Sequence, residues 1–293
     1  MTTLAFIGFG AMGRPMVRHL LAAGHHINVS VRRPEAADAV RALGAQPCSS
    51  PAEAARDADV VFTNVTSTAD VEDVLLGAHG VIHGARPGTL CIDHSTISPV
   101  ATRDIAKRLQ AAGLRFLDAP VSGGAAGAEA ATLTIMVGGD SADLEQARPL
   151  LERLGKTIAH VGAAGSGQVA KACNQIVQVT TIQGIAEAML FATSQGTDPQ
   201  KILDAIATGF AGSRMLDLMG PKMAQRDFKA GIEARLHEKD FGLVREVARE
   251  QHLYMPAMEA VAAQLRSLVE QGRGRDDTSS LLPVLESQQP TKR

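Results

Sequence analysis

The sequence predicts an α/β fold in which an N-terminal doubly wound sheet is followed by an all-α C-terminal domain, with one long helix joining the two. Three observations predict it. Short apolar runs with strand character alternate with helical patterns to about residue 160. One helical pattern then extends from Gly165 to Gly196, and only helical patterns follow it. Because alternating strands and helices are typical of doubly wound sheets, we place the two domains at residues 1–162 and 163–293.

The first strand leads directly into a glycine-rich turn. An apolar run over residues 2–7 continues into Gly-Phe-Gly-Ala-Met-Gly, and an amphipathic helical pattern follows as far as Gly24. In such a G-x-G-x-x-G turn the glycines allow a tight bend, a close approach of pyrophosphate and close packing of the helix, whose N-terminus supplies free N–H groups. The alternative is a turn that binds nothing. The strand–turn–helix context favours a Rossmann-type dinucleotide site at Gly8, Phe9, Gly10, Ala11, Met12 and Gly13.

The tip of the second strand-like run, residues 27–31, indicates which dinucleotide is preferred. NAD-binding units usually carry Asp or Glu there, where the carboxylate accepts from the ribose 2′-hydroxyl. Here Arg32 and Arg33 occupy the tip, and the first acid, Glu35, lies beyond Pro34. A guanidinium group suits a 2′-phosphate, which a carboxylate would repel. We predict NADP as the preferred cofactor and NAD as the second choice. The alternative is that both arginines are solvated loop charges.

Composition and charge exclude several classes of function. The 293 residues are 45% hydrophobic with a formal net charge of −2, so nothing indicates binding to nucleic acid or to an anionic membrane. We expect no apolar run long enough to span a membrane and no metal site. The three cysteines, Cys48, Cys91 and Cys173, are odd in number, which predicts free thiols, a reducing compartment and a cytoplasmic location.

The remaining elements follow in order along the chain. Further strand-like runs occur at residues 60–65, 90–93, 115–120, 133–137 and 158–161. Helical patterns include residues 101–112, a helix that starts at Asp198-Pro199, and residues 239–251 and 255–270. We assign Asn64 and Val65, at the end of the first of these runs, to the cofactor site.

One face of the long helix carries polar side chains, although the helix is otherwise apolar. Gln168, Lys171, Asn174, Gln175 and Gln178 recur at spacings of three and four residues or directly adjoin. Burial of a lysine is costly, and it lowers the pKa of the amine towards the range in which it can act as a general acid or base. The same pattern is equally consistent with a solvent-exposed face, so both interpretations stay open at this point.

A second polar element is the loop at residues 118–128. Its Ser-Gly-Gly sequence combines a hydroxyl group with backbone N–H groups that no side chain blocks. Such a loop suits a small carboxylate, which would contact Ser122, Gly123 and Gly124. A flexible connection without a ligand is about equally consistent with the composition.

Four motifs occur together in one chain, at residues 6–13, 118–124, 165–175 and 236–240. In these motifs, their order and their spacing, the chain resembles the β-hydroxyacid dehydrogenase family nearly throughout, to about residue 286. The resemblance is strongest to the branch that reduces tartronate semialdehyde. Members that oxidise 3-hydroxyisobutyrate carry Asn-Asn where this chain has Asn174-Gln175.

The resemblance implies roles for the matched residues. Lys171 corresponds to the catalytic acid/base, and the loop Ser122-Gly123-Gly124 to the site that binds the substrate carboxylate. Asn174 and Gln175 correspond to the amides that contact the substrate. Ser213, which ends the Gly-Phe-Ala-Gly-Ser stretch, corresponds to part of the substrate pocket.

Three further residues are implied on the cofactor side. Thr96 matches the family's threonine beside the nicotinamide. Lys239 and Asp240 match the pair that reaches the active site from the helical domain, and we group them with the cofactor-binding residues. One residue departs from the family pattern, since His94 stands where a small residue is usual.

The resemblance implies an NADP-preferring enzyme that interconverts a small 3-oxo acid and its 3-hydroxy acid, most favourably tartronate semialdehyde and glycerate. It also implies a homodimer or homotetramer, as do the apolar helices. Substrates of other members, namely 3-hydroxyisobutyrate, serine, threonine or a succinic semialdehyde, stay open. A relative that reduces imines generally lacks the lysine, and a phosphogluconate dehydrogenase needs a longer chain. The alternative of another class is a non-catalytic module that binds a cofactor or a protein.

Overall fold

The computed structural model of the chain describes residues 2–33 and 35–290. The chain divides into two compact units, Met1–Lys171 and Ala172–Arg293. The division falls inside a long helix, whereas the sequence analysis placed the boundary before that helix. The first unit contains the named strands and the second consists of helices, so the predicted fold class is confirmed.

The first unit is built on one nine-stranded sheet. The strands are β1 (Thr3–Ile7), β2 (His26–Ser30), β3 (Gln46–Cys48), β4 (Val60–Thr63), β5 (Leu90–Asp93), β6 (Arg115–Asp118), β7 (Val121–Ser122), β8 (Leu133–Gly139) and β9 (Gly155–Gly162). Six of them lie parallel in the spatial order β3-β2-β1-β4-β5-β6. This is the order of a doubly wound dinucleotide-binding sheet, in which the winding reverses between β1 and β4. β8 is antiparallel to β6 and β7 and parallel to β9.

Helices connect these strands. They are α1 (Gly13–Ala22), α2 (Glu35–Ala42), α3 (Pro51–Ala55), α4 (Thr68–Leu76), α5 (Pro99–Ala111), α6 (Gly124–Glu129) and α7 (Ser141–Leu151), and α8 (Ser166–Ser194) begins in this unit. Several start at a polar residue whose side chain accepts from a first-turn N–H group that would otherwise lack a partner, as Ser67 does for α4 and Asp140 for α7.

Both faces of the sheet are covered by apolar side chains. In β1, Leu4 and Phe6 enter one core layer, while Ala5 and Ile7 enter another. Neighbouring side chains of a strand point to opposite faces, so a continuous apolar run is what a parallel sheet with helices on both sides requires. Residues of α1 belong to the first layer and residues of α5 to the second. The sheet is thereby fixed in register, and its carboxyl edge is left for polar side chains.

The second unit is helical. Its helices are the remainder of α8, α9 (Pro199–Ile206), α10 (Arg214–Gln225), α11 (Ala234–Glu250), α12 (Pro256–Leu268) and α13 (Leu281–Ser287). Its core includes Ile182 and Met189 of α8 and Phe241 of α11. One buried carboxylate ties its loops together, because Asp277 accepts from Lys222 Nζ at 2.9 Å and from the Gly231 amide at 2.8 Å. Burial alone would raise the pKa of Asp277, but these donors and the Ser279 amide hold it below its usual value.

The structure differs from the sequence prediction mainly in short elements. Three short elements were not predicted from the sequence: β3, which is three residues long, and the strand β7 and helix α6, which lie in and just after the loop at residues 118–128. Elements this short carry too few residues for a period to show. The three cysteines are free, as predicted, with Cys48 and Cys91 buried and Cys173 exposed.

One expectation about α8 was wrong. By length and composition this helix could cross a membrane, since an 18-residue window reaches a mean hydropathy of 1.3. The expectation concerned an unbroken apolar run, and Gln168, Lys171 and Gln175 are among the polar residues that interrupt α8. Length and composition are weak support for a membrane span, because the core helix of a soluble protein satisfies the same criteria. The absence of a membrane partner stays a prediction.

Several apolar side chains of the second unit face solvent. Val177 is 69% exposed and Tyr254, the only tyrosine of the chain, is 90% exposed. Val177 is part of an open groove of about 500 Å³ that is lined mainly by apolar residues: Ile176, Val177, Thr180, Thr181, Met255, Pro256, Ala257 and Met258. Contiguous exposed apolar surface of this kind commonly marks a protein interface.

We therefore expect the chain to self-associate through its helical unit. Light scattering at micromolar concentration should give at least twice the 30.7 kDa mass of one chain. Val177→Glu should lower that mass, because it places a charge on the apolar groove. Val100→Glu is the matched control, since Val100 is an equally aliphatic, 48% exposed residue of α5. A monomeric wild-type protein would contradict the prediction.

Candidate active site

The glycine-rich turn has the geometry that a dinucleotide requires. Gly8 has φ +108°, and a Cβ on it would lie 2.0 Å from the carbonyl oxygen of Asn64. A Cβ on Gly13 would lie 2.0 Å from the carbonyl oxygen of Gly8, whereas one on Gly10 would meet nothing within 4 Å. The first and third glycines are thus required by packing, and the second leaves the turn open on the side where a pyrophosphate would approach.

This turn lies where the sheet reverses its direction of winding. β1 and β4 are neighbours, and the amide of Asn64 donates to the carbonyl of Ile7 at 2.9 Å. Ligands of open α/β sheets bind at the carboxyl ends of strands at such a point. Phe9 and Met12 pack against the first core layer, which anchors the turn, and Ala11 is exposed. The residues present therefore fit a dinucleotide cofactor.

The two arginines at the tip of β2 are exposed. Arg32 Nη2 lies 3.4 Å from Asp70 Oδ1, and the Arg32 side chain is 78% exposed. The other oxygen of Asp70 accepts from Ser67 in the capping box of α4. A 3.4 Å contact at the surface holds Arg32 weakly, so the guanidinium of Arg32, like that of the exposed Arg33, can turn towards a ligand.

The loops that follow β4 and β5 are joined by a buried network. Asp93 Oδ1 accepts from Thr63 Oγ1 at 2.7 Å and from the Ser95 amide at 3.1 Å. Ser95 Oγ in turn accepts from the amide of Val65 at 2.9 Å. Thr96, predicted to lie beside the nicotinamide, directly follows this network and is partly buried.

Two ionisable groups of this network are fully buried. Burial raises the pKa of Asp93 to about 6, against the opposing effect of its hydrogen bonds with Ser95 and Thr63. Burial also lowers the pKa of His94 to about 4. His94 stacks on Phe62 with ring centroids 5.7 Å apart, and its Nδ1 lies 2.6 Å from the Ala119 carbonyl oxygen. The residue that departs from the family pattern is thus a neutral, packed ring at neutral pH.

The Ser-Gly-Gly loop is more ordered than a flexible connection. Ser122 lies in β7 opposite Thr134 of β8, and Gly123 has φ +131°. Gly124 opens the short helix α6, whose end is held on α1 by His19, with Nε2 3.1 Å from the carbonyl oxygen of Ala128. The loop thus presents a hydroxyl and first-turn N–H groups from a fixed backbone.

The start of α8 is held by a carboxyl group from the sheet. Asp118, at the end of β6, accepts from the Gly165 amide at 2.7 Å through Oδ1 and from the Gln168 amide at 2.9 Å through Oδ2. Burial raises the pKa of Asp118, and these amide donors act against the rise. Lys171 follows one turn after Gln168 and is 8% exposed.

The polar stripe of α8 is not its solvent face. Gln168, Lys171 and Gln175 are buried, and Asn174 and Gln178 are partly buried. The exposed positions of this stretch are Val169, Cys173 and Val177. The interpretation of the stripe as a solvated surface, left open by the sequence, is therefore wrong. Over residues 168–177 the helix thus buries polar side chains and exposes two valines, which reverses the usual pattern of a globular protein.

In the second unit the stripe continues as a chain of amides. Asn174 Nδ2 donates to Gln175 Oε1 at 2.8 Å, and Gln175 Nε2 donates to Asp240 Oδ2 at 2.6 Å. Lys239 Nζ lies 2.9 Å from Asp240 Oδ1. The structure thus brings together four of the residues that the sequence analysis assigned to the site. Asn174 and Gln175 are oriented by hydrogen bonds that they make with neighbours.

Ser213 has a local structural task. Its Oγ accepts from the Leu216 amide at 3.1 Å and so caps α10. The preceding Phe210 is fully exposed. Among the described residues of the second unit, the Ser213 side chain bonds to Leu216 and not to Asn174, Gln175, Lys239 or Asp240. Among residues 2–33 and 35–290, no group of three or more His, Cys, Asp or Glu side chains could hold a metal ion.

Known proteins resemble the chain over both units. Residues 3–162 match the NAD binding domain of 6-phosphogluconate dehydrogenase, and residues 165–285 match the family described as NAD-binding of NADP-dependent 3-hydroxyisobutyrate dehydrogenase. The 2-hydroxy-3-oxopropionate reductase of Escherichia coli is 39% identical, with 97% of both chains covered. The chain belongs to the β-hydroxyacid dehydrogenase family.

Other members are similarly related. The NAD-dependent L-serine dehydrogenase of Pseudomonas aeruginosa is 38% identical, covering 95% of this chain and 96% of the relative. The structure of Mycobacterium tuberculosis 3-hydroxyisobutyrate dehydrogenase with L-serine matches with a TM-score of 0.91 at 36% identity, covering 97% of this chain and 99% of that one. This β-hydroxyacid dehydrogenase therefore carries NAD(P)-binding domains, and its relatives differ in the substrate and cofactor that their names give.

Sequence reasoning missed the residues that hold the site in place. Asp93, Asp118 and Ser95 were not singled out, and Gln168 was noted only as part of the polar stripe. Each joins segments far apart in the chain. The one available signal was that buried strands β5 and β6 both end in Asp, a residue that is rarely buried without a hydrogen-bonding task.

The pKa of Asp93 generates a prediction for stability. Its folded-state value of about 6 lies above the unfolded value of about 3.9, so the stability that protonated Asp93 contributes is present below pH ~4 and is lost as the pH rises through ~6. The loss is on the order of 2–3 kcal/mol. Asp93→Asn should therefore raise the thermal midpoint relative to wild type more at pH 7.5 than at pH 4.5.

The control for this measurement is Asp104→Asn, because Asp104 is an exposed acid of α5 whose side chain is 63% accessible. It should shift the midpoint little at either pH. If the difference between Asp93→Asn and wild type is the same at both pH values, Asp93 does not titrate in this range.

Proposed function

We propose that the chain catalyses the NADP-preferring interconversion of a small 3-oxo acid and its 3-hydroxy acid, most favourably tartronate semialdehyde and glycerate. The observation that carries the proposal is the buried polar stripe of α8, with Lys171 at 8% exposure. Keeping a lysine and several amides inside an apolar helix costs free energy, which a merely structural helix has no reason to incur. A catalytic role for Lys171 explains that cost, whereas a non-catalytic module does not.

Lys171 is proposed as the acid/base. A bound reduced nicotinamide supplies the hydride when the cofactor is present. In reduction, the Lys171 ammonium donates a proton to the carbonyl oxygen as it gains negative charge, and in oxidation the neutral amine accepts the proton of the alcohol. The proposed role requires an amine that can cycle between its two protonation states.

The other residues bind and orient the substrate in this proposal. The hydroxyl of Ser122 and the backbone N–H groups of Gly123 and Gly124 bind the carboxylate, which fixes the orientation of the reacting carbon. Asn174 and Gln175 bind the polar groups of the substrate. Gln175 Nε2 donates to Asp240 at 2.6 Å, so a partner on another helix fixes the orientation of the Gln175 side-chain amide. Ser213 is the least supported of the proposed substrate contacts, because it already caps a helix.

Tartronate semialdehyde is proposed because the sequence Asn174-Gln175 follows that branch of the family and because the Escherichia coli reductase is 39% identical. A second candidate is L-serine. It is favoured by the Pseudomonas aeruginosa relative and by the Mycobacterium tuberculosis structure that contains L-serine. Both substrates are small hydroxy acids or their oxo forms, so the same carboxylate loop would serve either.

A panel of small acids separates these candidates. Tartronate semialdehyde is tested in reduction, and glycerate, L-serine, L-threonine and 3-hydroxyisobutyrate in oxidation, each with both forms of the nicotinamide cofactor. Succinic semialdehyde is the control for a longer chain. We expect the highest kcat/KM for tartronate semialdehyde with NADPH. A higher value for L-serine would reassign the substrate, and no turnover with any of them would overturn the proposed function.

The cofactor preference depends on Arg32 and Arg33. A charge-assisted hydrogen bond contributes roughly 1.5–3 kcal/mol, so we expect kcat/KM with NADPH to exceed that with NADH by about tenfold or more. Arg32→Asp should abolish or reverse this preference for NADPH. Arg41→Asp is the matched control, because Arg41 is an exposed arginine of α2 that pairs with Asp38. If Arg32→Asp leaves the ratio of kcat/KM for NADPH to that for NADH unchanged, Arg32 is only a surface charge.

Replacement of Lys171 tests the acid/base role. Lys171→Ala should reduce kcat by roughly 10²–10⁴-fold, the usual contribution of general acid–base catalysis, while the Kd of NADPH changes little. Lys171→Arg should not restore activity, because a guanidinium stays protonated at neutral pH. Lys107→Ala, which removes an exposed lysine of α5, is the control. The catalytic role would be excluded if the kcat of Lys171→Ala stayed within about threefold of wild type. Such a change corresponds to less than ~0.7 kcal/mol in activation free energy.

A further inference from the structure

Gln168 makes contacts that neither the sequence motif nor the relatives assign to a task. It is 1% exposed and lies in the first turn of α8. Its Nε2 donates to the carbonyl oxygen of Ser95 at 2.8 Å, and its Oε1 accepts from the amide of Ile97 at 3.1 Å. The two backbone groups that it contacts flank Thr96. The side chain thus pairs with this segment as the backbone of a neighbouring strand would.

An amide is the side chain that suits this position. It offers one donor and one acceptor on the same carbon and carries no charge, so both backbone groups are satisfied in a buried place. A lysine could satisfy only the carbonyl, and an ionised glutamate only the N–H group. A methionine of similar length would leave both backbone groups without this partner.

The other contacts of this turn keep Gln168 from moving. Its backbone amide donates to Asp118 Oδ2 at 2.9 Å, and the backbone amide of Gly165 donates to Asp118 Oδ1 at 2.7 Å. The neighbouring Gly167 has no room for a side chain, because a Cβ there would lie 2.4 Å from the carbonyl oxygen of Met136. The first turn of α8 is thus bonded to the end of β6 and packs closely on β8. Gln168 connects this turn to residues 95–97.

We propose that Gln168 is a positioning residue that holds the Thr96 segment and Lys171 in one rigid frame. Lys171 follows Gln168 by three residues, so the two side chains leave the same face of the helix. Ser95 connects the same frame to the loop after β4, since its Oγ accepts from the Val65 amide at 2.9 Å. The inference rests on the proposed function of Lys171 as the acid/base. Gln168 acts through its neighbours and is not itself assigned a contact with the reacting atoms.

The test compares two substitutions of Gln168 with a matched control in the full-length protein. Gln168→Met removes both side-chain hydrogen bonds. Gln168→Glu restores both only when its carboxyl is protonated, because a neutral carboxyl has one O–H donor and one carbonyl acceptor. Asp118 accepts from the backbone amide of residue 168 at 2.9 Å, and its charge would oppose ionisation of that glutamate. Gln183→Met is the control, since Gln183 is a 6% exposed glutamine of the same helix that bonds only to Glu187 among the described residues.

We expect Gln168→Met to lower kcat at least tenfold while the KM of the acid and the Kd of NADPH change less than threefold. The kinetic isotope effect with 4-deuterated NADPH should rise, because hydride transfer becomes slower than the other steps. The kcat of Gln168→Glu relative to wild type should increase as the pH falls from 8 to 6, and that of Gln168→Met should not. Hydrogen–deuterium exchange, measured without substrate, should accelerate in residues 94–98 of Gln168→Met and should be unchanged there in Gln183→Met.

The outcomes distinguish this inference from the proposed function. If Lys171→Ala is inactive but Gln168→Met keeps kcat within twofold of wild type, the inference fails and the proposed function stands. If Lys171→Ala is active, the proposed function fails first. An equal loss in Gln183→Met would assign the effect to general packing of α8. If neither Gln168 variant folds, the inference is also overturned, because the residue would then serve folding rather than position.

Discussion

The site of the first unit depends on one interaction. The carboxyl group of Asp118 accepts hydrogen bonds from two backbone N–H groups at the start of α8. A helix begins with N–H groups that have no partner within the helix. Here a carboxyl group from the end of β6 satisfies two of them, at 2.7 and 2.9 Å, and thereby sets where α8 starts. Lys171 is less than two turns beyond. The position of the proposed acid/base is therefore decided by the end of a strand.

The same constraint explains the unusual composition of α8. Once its start is fixed, the face of the helix that turns inward is determined, and the residues on that face are Gln168, Lys171 and Gln175. Buried amides and amines must have partners. The glutamines find them in backbone groups near Thr96 and in Asp240. In the same stretch of the helix the apolar Val177 is 69% exposed.

Much of this was predictable from the sequence. The fold class followed from the alternation of strands and helices, and the dinucleotide turn followed from three glycines in the right context. Both signals are local. The roles of Asp118 and Gln168 could not be predicted, because each depends on a partner between 47 and 73 residues away in the chain. The direction of the polar stripe could not be predicted either, since a helical period shows which residues share a face but not where that face points.

The single tyrosine has a consequence for spectroscopy. The chain contains no tryptophan, and Tyr254 is 90% exposed in the helical unit. Emission excited at wavelengths that phenylalanine does not absorb therefore originates from one side chain, which directly precedes the groove residue Met255 in the chain. It carries no information about the sheet and overlaps little with nicotinamide emission. The wild-type protein thus contains a native optical label for its groove, and cofactor fluorescence can be recorded with almost no background from the polypeptide.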